Sequence, residues 1–318
     1  MSGKRVEIGV TPWLFDDGGL SAGFAAQAER AEALGFHSIF IPEHHFAPGA
    51  IPSPLLLLAA AASRTRRIRL GTTSYLLPLR HPLHAAAEVA VLDQVSNGRV
   101  ILGVGRGFQK AMFSAFDVAR AEKRELFEAV LARMREAWDG KPVVPDDAAG
   151  PPAVLSPLPV QRPHPPIWVA AFGPKALAQA GRLALPYLAS PMEPVSQLAE
   201  NLMRHREACE AAGRELPSAV PLMRTVFVSD DASALARASA ALEQQMRAMA
   251  RAPSAVLRRG AEGDVEDWAL VGEPARVADA IAALEERFGM THLIVRAQIP
   301  GLEPAEAEAS LECIAALG

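Results

Sequence analysis

The stretch VEIGVTPWLFDDGG, Val6 to Gly19, decides between two folds. Its first half alternates apolar residues as a strand does, so the turn after that strand is diagnostic. An open doubly wound sheet that binds a dinucleotide places a Gly-x-Gly-x-x-Gly turn directly after its first strand. Here the strand runs into Thr11, Pro12 and Trp13, and Gly18 and Gly19 have the wrong spacing for that turn. Seven further strand-like runs come later in the chain: SIFIPEHH from Ser38, RIRLGTTSY from Arg67, VILGVGRG from Val100, PIWVAAF from Pro166, PYLASP from Pro186, VPLMRTVFVS from Val220 and HLIVRAQI from His292. Helical patterns separate them. In GFAAQAERAEALGF the residues Phe24, Ala28, Ala31 and Leu34 share one face, and Gly35 supplies the stop. Eight such β/α units predict the α/β class and a closed (β/α)8 TIM barrel, with residues 1–318 forming a single domain. Two connections are long, 108–165 after the fourth strand and 229–291 after the seventh, and read as insertions that reach over one end of the barrel.

Composition excludes several partners. The net charge of -4 comes from 36 acids and 32 bases with no basic block, so no nucleic-acid partner is expected. The most apolar run, IPSPLLLLAAAAS from Ile51 to Ser63, is broken by prolines and falls short of the ~20 residues that span a bilayer. It predicts a core helix and no membrane association. The opening MSGKRVEIGV lacks the apolar region of a secretion signal, and a cytoplasmic location is the expectation. Cys209 and Cys313 lie far apart in helical patterns, and read as small apolar side chains without a disulfide or a zinc site.

In a β/α barrel the reactive groups collect at the carboxyl ends of the strands. Those ends carry Thr11 and Trp13; Glu43, His44 and His45; Thr72, Thr73, Ser74 and Tyr75; Gly103, Gly105, Arg106 and Gly107; Phe172, Gly173, Pro174 and Lys175; and Arg296 and Gln298. Hydroxyls, glycines and cations converge while acids are scarce, so no metal site is expected. On a strand His44 and His45 point apart, so at most one joins Glu43. His44 could serve as an acid/base, or it could be a rim residue beside a structural His45. In GVGRGF the glycines let backbone approach a planar or phosphorylated ligand, with Arg106 as its anion fork, although they could simply relieve crowding. In FGPK, Gly173 makes a turn, Pro174 takes a helix's first position and Lys175 its first turn, an arrangement that suits an anion and equally an ordinary helix start.

The segments EHHF, GTTSYLLPLRHP and EVAVLDQVSNGRVILGVGRG, in that order and spacing, resemble the bacterial luciferase-like family of flavin-dependent monooxygenases. The resemblance is continuous from Glu43 to Gly107 and looser over the rest. It implies a homodimer joined through helices near the second and third units. It also implies reduced FMN as cofactor, dioxygen as co-substrate and a small hydrophobic substrate, and the missing dinucleotide turn implies a separate NAD(P)H-dependent flavin reductase. By the same resemblance His44 is the catalytic acid/base, Glu43 lies beside the flavin ring, and a cis peptide joins Thr73 to Ser74 behind it. Arg106 and the segment Phe172, Gly173, Pro174 and Lys175 would hold the phosphate. Trp13, Tyr75, Phe108 and Phe172 would wall an apolar substrate pocket or else pack the barrel end. Two departures matter. Gly105 stands where luciferase has a reactive cysteine, which counts against light emission, and the Gly-Pro-Lys turn is found in relatives that use a deazaflavin. Deazaflavin-dependent hydride transfer is therefore one alternative, and a non-catalytic flavin-binding protein is another.

Overall fold

The computed structural model describes residues 5–14, 20–46, 49–144, 152–251, 258 and 263–318. All eight expected strand runs contain strands: β1 (Glu7–Val10), β2 (Ser38–Ile41), β3 (Arg69–Thr72), β5 (Val100–Gly105), β6 (Ile167–Ala170), β7 (Tyr187–Leu188), β8 (Pro221–Val228) and β10 (His292–Arg296). Two short strands, β4 (Tyr75–Leu76) and β9 (Ala269–Gly272), were not expected as separate elements. The helices are α1 (Leu20–Leu34), α2 (Pro54–Arg64), α3 (Pro82–Val95), α4 (Lys110–Ala115), α5 (Lys123–Trp138), α6 (Pro174–Arg182), α7 (Val195–Ala211), α8 (Ala232–Ala250), α9 (Pro274–Phe288) and α10 (Pro304–Leu317). α1 buries Phe24, Ala28 and Ala31 and stops at Gly35, whose φ of 90° is open to glycine at no steric cost. No helix among the described residues is long and apolar enough to cross a membrane.

The described backbone forms two compact units. One comprises Met1–Phe15, Arg30–Phe40 and Val169–Gly318. In it β1 pairs in parallel with β2 (Val10 opposite Ile39) and with β10 (Glu7 opposite His292 through Val10 opposite Val295). β10 pairs with β8, from His292 opposite Pro221 to Arg296 opposite Thr225, and β8 continues into β9. Ile8 lies against the chain end behind α10, where a Cβ on Gly318 would come within 3.0 Å of its Cδ1. Strand alternation therefore turns Glu7, Gly9 and Thr11 to the opposite face, with Ile294 and Arg296 beside them. α8 packs Ala234, Ala238 and Leu242 against Phe227, Trp268 and Ile299, which gives the unexpected β9 its support. Both cysteines are free; Cys209 is buried and Cys313 is half-buried.

The other unit comprises Asp16–Glu29 and Ile41–Trp168. β5 is its centre: β3 pairs with it through Leu70 opposite Val100, β4 through Tyr75 opposite Val104 and Leu76 opposite Gly105, and the amide of Leu102 donates to the Pro166 carbonyl. Every residue of β5 is buried, which is why its sequence is a continuous apolar run without alternation. α2 is not the core helix that its composition suggests. Pro54, Leu55, Leu58, Ala61 and Ala62 are buried, but Leu56 is 72% exposed, because one face of the helix has no neighbour in this unit. The long segment after α5 is latched by Asp93 of α3, whose buried carboxylate accepts from the Gln161 amide and side chain, both at 2.8 Å.

Candidate functional site

The unit centred on β5 brings together Glu43, His44, His45, Thr73, Ser74, Tyr75, Gly105, Arg106 and Phe108. Glu43 is its hub. Its carboxylate is fully buried and accepts from His45 Nε2 at 2.7 Å, from the Leu76 amide at 2.9 Å and from Arg80 Nη2 at 2.6 Å. A carboxylate can only accept, so His45 donates through Nε2, and the i, i+2 spacing on an extended backbone puts both side chains on one side. His45 is thus the satisfied structural histidine, with its ring also set against Phe116 at 5.0 Å. With three donors on a buried carboxylate, Glu43 holds the turn after β3 to the end of β2.

Of the two readings of Tyr75, pocket wall or packing, its contacts favour packing. Its ring is buried under the Arg80 guanidinium, 4.4 Å away, and its hydroxyl donates to Glu88 of α3 at 2.8 Å. Burial pushes its pKa well above the ordinary phenol value, with Glu88 and Glu43 adding to the rise and Arg80 opposing it. Neighbouring residues on extended backbone face opposite ways, so with Ser74 turned to β5, Tyr75 turns to the helix layer. Arg80 and Glu88 were missed in the sequence. Arg80 stands inside the quoted GTTSYLLPLRHP, and the signal was there: a buried acid such as Glu43 needs a cation within reach.

The turn after β3 packs closely on β5. The Thr73–Ser74 peptide bond is cis, as the resemblance implied. Ser74 lies so close to Gly105 that a Cβ there would fall 2.1 Å from its Oγ and 3.0 Å from its Cβ. A side chain at 105 would therefore have to displace Ser74. The hydroxyl of Thr73 is buried with no hydrogen-bond partner among the described residues, although such groups are nearly always paired. Immediately after β5, Arg106 is buried with its guanidinium 5.0 Å from the Phe127 ring. Burial pushes its pKa down to about 10, Arg124 lowers it further, and Glu128 opposes. Lys123 donates to the Gly107 carbonyl at 3.0 Å, and its pKa is lowered by burial and by Arg120, Arg106 and Arg124. These cations repel one another, so together they favour an anion. Lys123 and Arg124 carried no sequence signal, since they sit in a helix 16 and 17 residues beyond Gly107. Phe108 is half exposed just past β5.

His44 is held through its main chain, the amide donating to the Ile51 carbonyl at 3.0 Å, while its ring reaches solvent. Surrounding protein still desolvates it enough to lower its pKa, and His45 adds to this while Glu43 opposes. The ring is therefore neutral at pH 7 and able to accept a proton. Among the described residues no three His, Cys, Asp or Glu side chains cluster as metal ligands.

In the unit built on β1, Trp13 is buried and its indole donates to Glu308 of α10 at 2.9 Å. Its polar edge thus belongs to the helix layer, which favours the packing role over the pocket wall. Gly173, at φ 92°, leads into Pro174 at the first position of α6, and no side chain caps that helix start. Lys175 is exposed in the first turn and Phe172 is half-buried just before it.

Known proteins resemble this chain over most of its length. The family model described as luciferase-like monooxygenase matches residues 17–292. A monooxygenase from Streptomyces bottropensis superposes with a TM-score of 0.81 at 30% identity, over 98% of each chain. An F420-dependent glucose-6-phosphate dehydrogenase of Kineococcus radiotolerans is 31% identical over 311 residues, 88% of this chain and 87% of its own. The oxygenase component of a flavin-dependent trigonelline monooxygenase from Acinetobacter baylyi is 31% identical over 207 residues, 63% of this chain and 57% of its own. The chain spans 53 to 60% of the length of the first curated relatives it matches. The expected α/β fold, a luciferase-like (β/α)8 barrel, agrees with these likenesses. On the strength of a match over most of its length, this chain belongs to the family of luciferase-like monooxygenases.

Proposed function

We propose that the chain is the oxygenase component of a two-component monooxygenase. It takes reduced FMN from a separate NAD(P)H-dependent flavin reductase and uses dioxygen to oxygenate a small hydrophobic substrate. In this reading residues 1–318 are one barrel domain that works as a cytoplasmic homodimer. The observation that carries it is the buried hydroxyl of Thr73, unpaired among the described residues at the cis peptide beside β5, together with a cationic group around Arg106. Those features fit a planar ring system with a phosphate tail, for which Thr73, Ser74 and Gly105 would hold the ring and Arg106 the phosphate. The phosphate segment Phe172 to Lys175 and the pocket residue Phe108 belong to the same proposal. Reduced FMN, when bound, supplies the two electrons that dioxygen chemistry needs. His44, neutral at pH 7, accepts a proton at its imidazole nitrogen. The separate reductase is supported by the trigonelline relative, which is named as an oxygenase component.

A second reading, hydride transfer with a reduced deazaflavin, is favoured by the F420-dependent relative that matches over nearly the full chain and by the Gly173-Pro174-Lys175 helix start. Anaerobic titration of the pure protein with reduced FMN, oxidised FMN and reduced deazaflavin separates the two. The oxygenase reading expects reduced FMN to bind at least about tenfold more tightly than either, a difference of about 1.4 kcal/mol. Preference for the deazaflavin would replace it with the hydride reading.

A further inference from the structure

Arg296 closes β10 on the face turned away from α10, in a row with Thr11 of the segment after β1 and Thr225 of β8. Its one hydrogen bond among the described residues runs from Nη1 to Thr225 Oγ1, at 3.2 Å. The other described arginines whose pKa departs from the ordinary value, Arg30, Arg69, Arg80, Arg106, Arg135, Arg224 and Arg237, each have an acidic side chain acting on them. Arg296 has none, and burial alone lowers its pKa. A guanidinium held half-buried without a carboxylate costs stability, so the fold keeps it at the carboxyl end of a strand against its own interest. The next row on the same face, toward the amino ends, is Gly9, Ile294 and Met223, which is apolar.

We infer that Arg296, steadied by Thr225, is a specificity residue that takes the oxyanion of the substrate, and that the substrate is a small organic acid whose carboxylate sits on an otherwise apolar body. The planar guanidinium matches a carboxylate through two parallel hydrogen bonds, and of the adjoining apolar row the half-buried Met223 is the side chain that the body would meet, Gly9 and Ile294 being buried beneath. This deepens the proposal of a small hydrophobic substrate by giving that substrate one carboxylate, but does not depend on whether the cofactor is FMN or a deazaflavin.

The test titrates the full-length protein with benzoate, benzyl alcohol and inorganic phosphate, with and without oxidised FMN, following tryptophan fluorescence or heat. The wild type is expected to prefer benzoate to benzyl alcohol by at least about tenfold. Arg296→Met should erase that preference, and Arg296→Lys should keep part of it. Arg296→Met should also melt at or above the wild-type temperature, since it removes an uncompensated charge. Reduced FMN is titrated against the same variants in a separate arm and should bind them as it binds the wild type. Four results would overturn the inference: no benzoate preference in the wild type, a preference that survives in Arg296→Met, phosphate or FMN binding lost in that variant while benzoate binding is kept, or a clear fall in its melting temperature.

Discussion

At residue scale the adjacent histidines have parted into two roles, and the division comes from which side chain meets the buried Glu43. His45 donates to that carboxylate and is committed to structure, whereas His44 keeps its ring at the surface with a pKa below the ordinary imidazole value. If His44 accepts a proton in turnover, the neutral ring is the active form. Activity should then rise with pH through a pKa below 6.5 and level off above it. His44→Ala should lower product formation per oxygen consumed by about 100-fold or more, remove that acidic limb and leave FMN affinity within about threefold. Oxygen uptake measured beside product from pH 5 to 8 checks it, and an acidic limb that persists in the variant would assign the limb to another group. The sequence made this pair visible but not its resolution. Strand geometry said that one histidine at most could join Glu43, yet the choice depended on Arg80 and the Leu76 amide, 37 and 33 residues away, which complete the carboxylate's shell.

At the scale of elements, legibility followed length and burial. Strands that are buried throughout, such as β2 and β5, announced themselves, because burial on both faces leaves a compact, mostly apolar run. β4 has two residues and β9 four, and each exists through its partner strand rather than through its own pattern. Composition could not separate the two faces of α2 either, since leucine and alanine fill both. What was read as core is half surface, and α3, which packs on α2, adds Val91 and Val95, 46% and 55% exposed, to Leu56. Exposed apolar side chains on two adjacent helices need cover, and the luciferase-like resemblance places the homodimer contact there. The protein should sediment as a dimer at micromolar concentration. Leu56→Glu with Val91→Glu should convert it to a folded monomer, because charges desolvated at such an interface oppose association. A monomeric wild type, or a double variant that stays dimeric, would place the contact elsewhere.

For the whole molecule, the buried titrating groups set how the fold responds to acid. His164 and His205 both have pKa values lowered by burial, with the carbonyls of Pro165 and Leu185 opposing that effect through hydrogen bonds. A histidine whose folded pKa lies below its unfolded value binds its proton more readily in the unfolded chain. Its contribution is therefore complete above the unfolded pKa near 6.5 and is lost as pH falls through the folded value. Within that window each such group tilts stability by up to about 1.4 kcal/mol per pH unit. Glu193 acts with the opposite sign: burial raises its pKa, so the folded state retains that proton and gains stability on acidification. Comparing the wild type with His205→Gln cancels Glu193 and every other group common to both proteins. His205 lies on the buried face of α7 and donates from Nε2 to the Leu185 carbonyl at 2.9 Å, a bond that glutamine can offer from its own amide. The stability difference between wild type and variant should then shrink by up to about 1.4 kcal/mol for each pH unit below 6.5, and stay constant above it. Urea unfolding of both proteins from pH 5 to 8 measures this directly. Parallel curves across that range would mean that His205 carries the same proton in the folded and unfolded states.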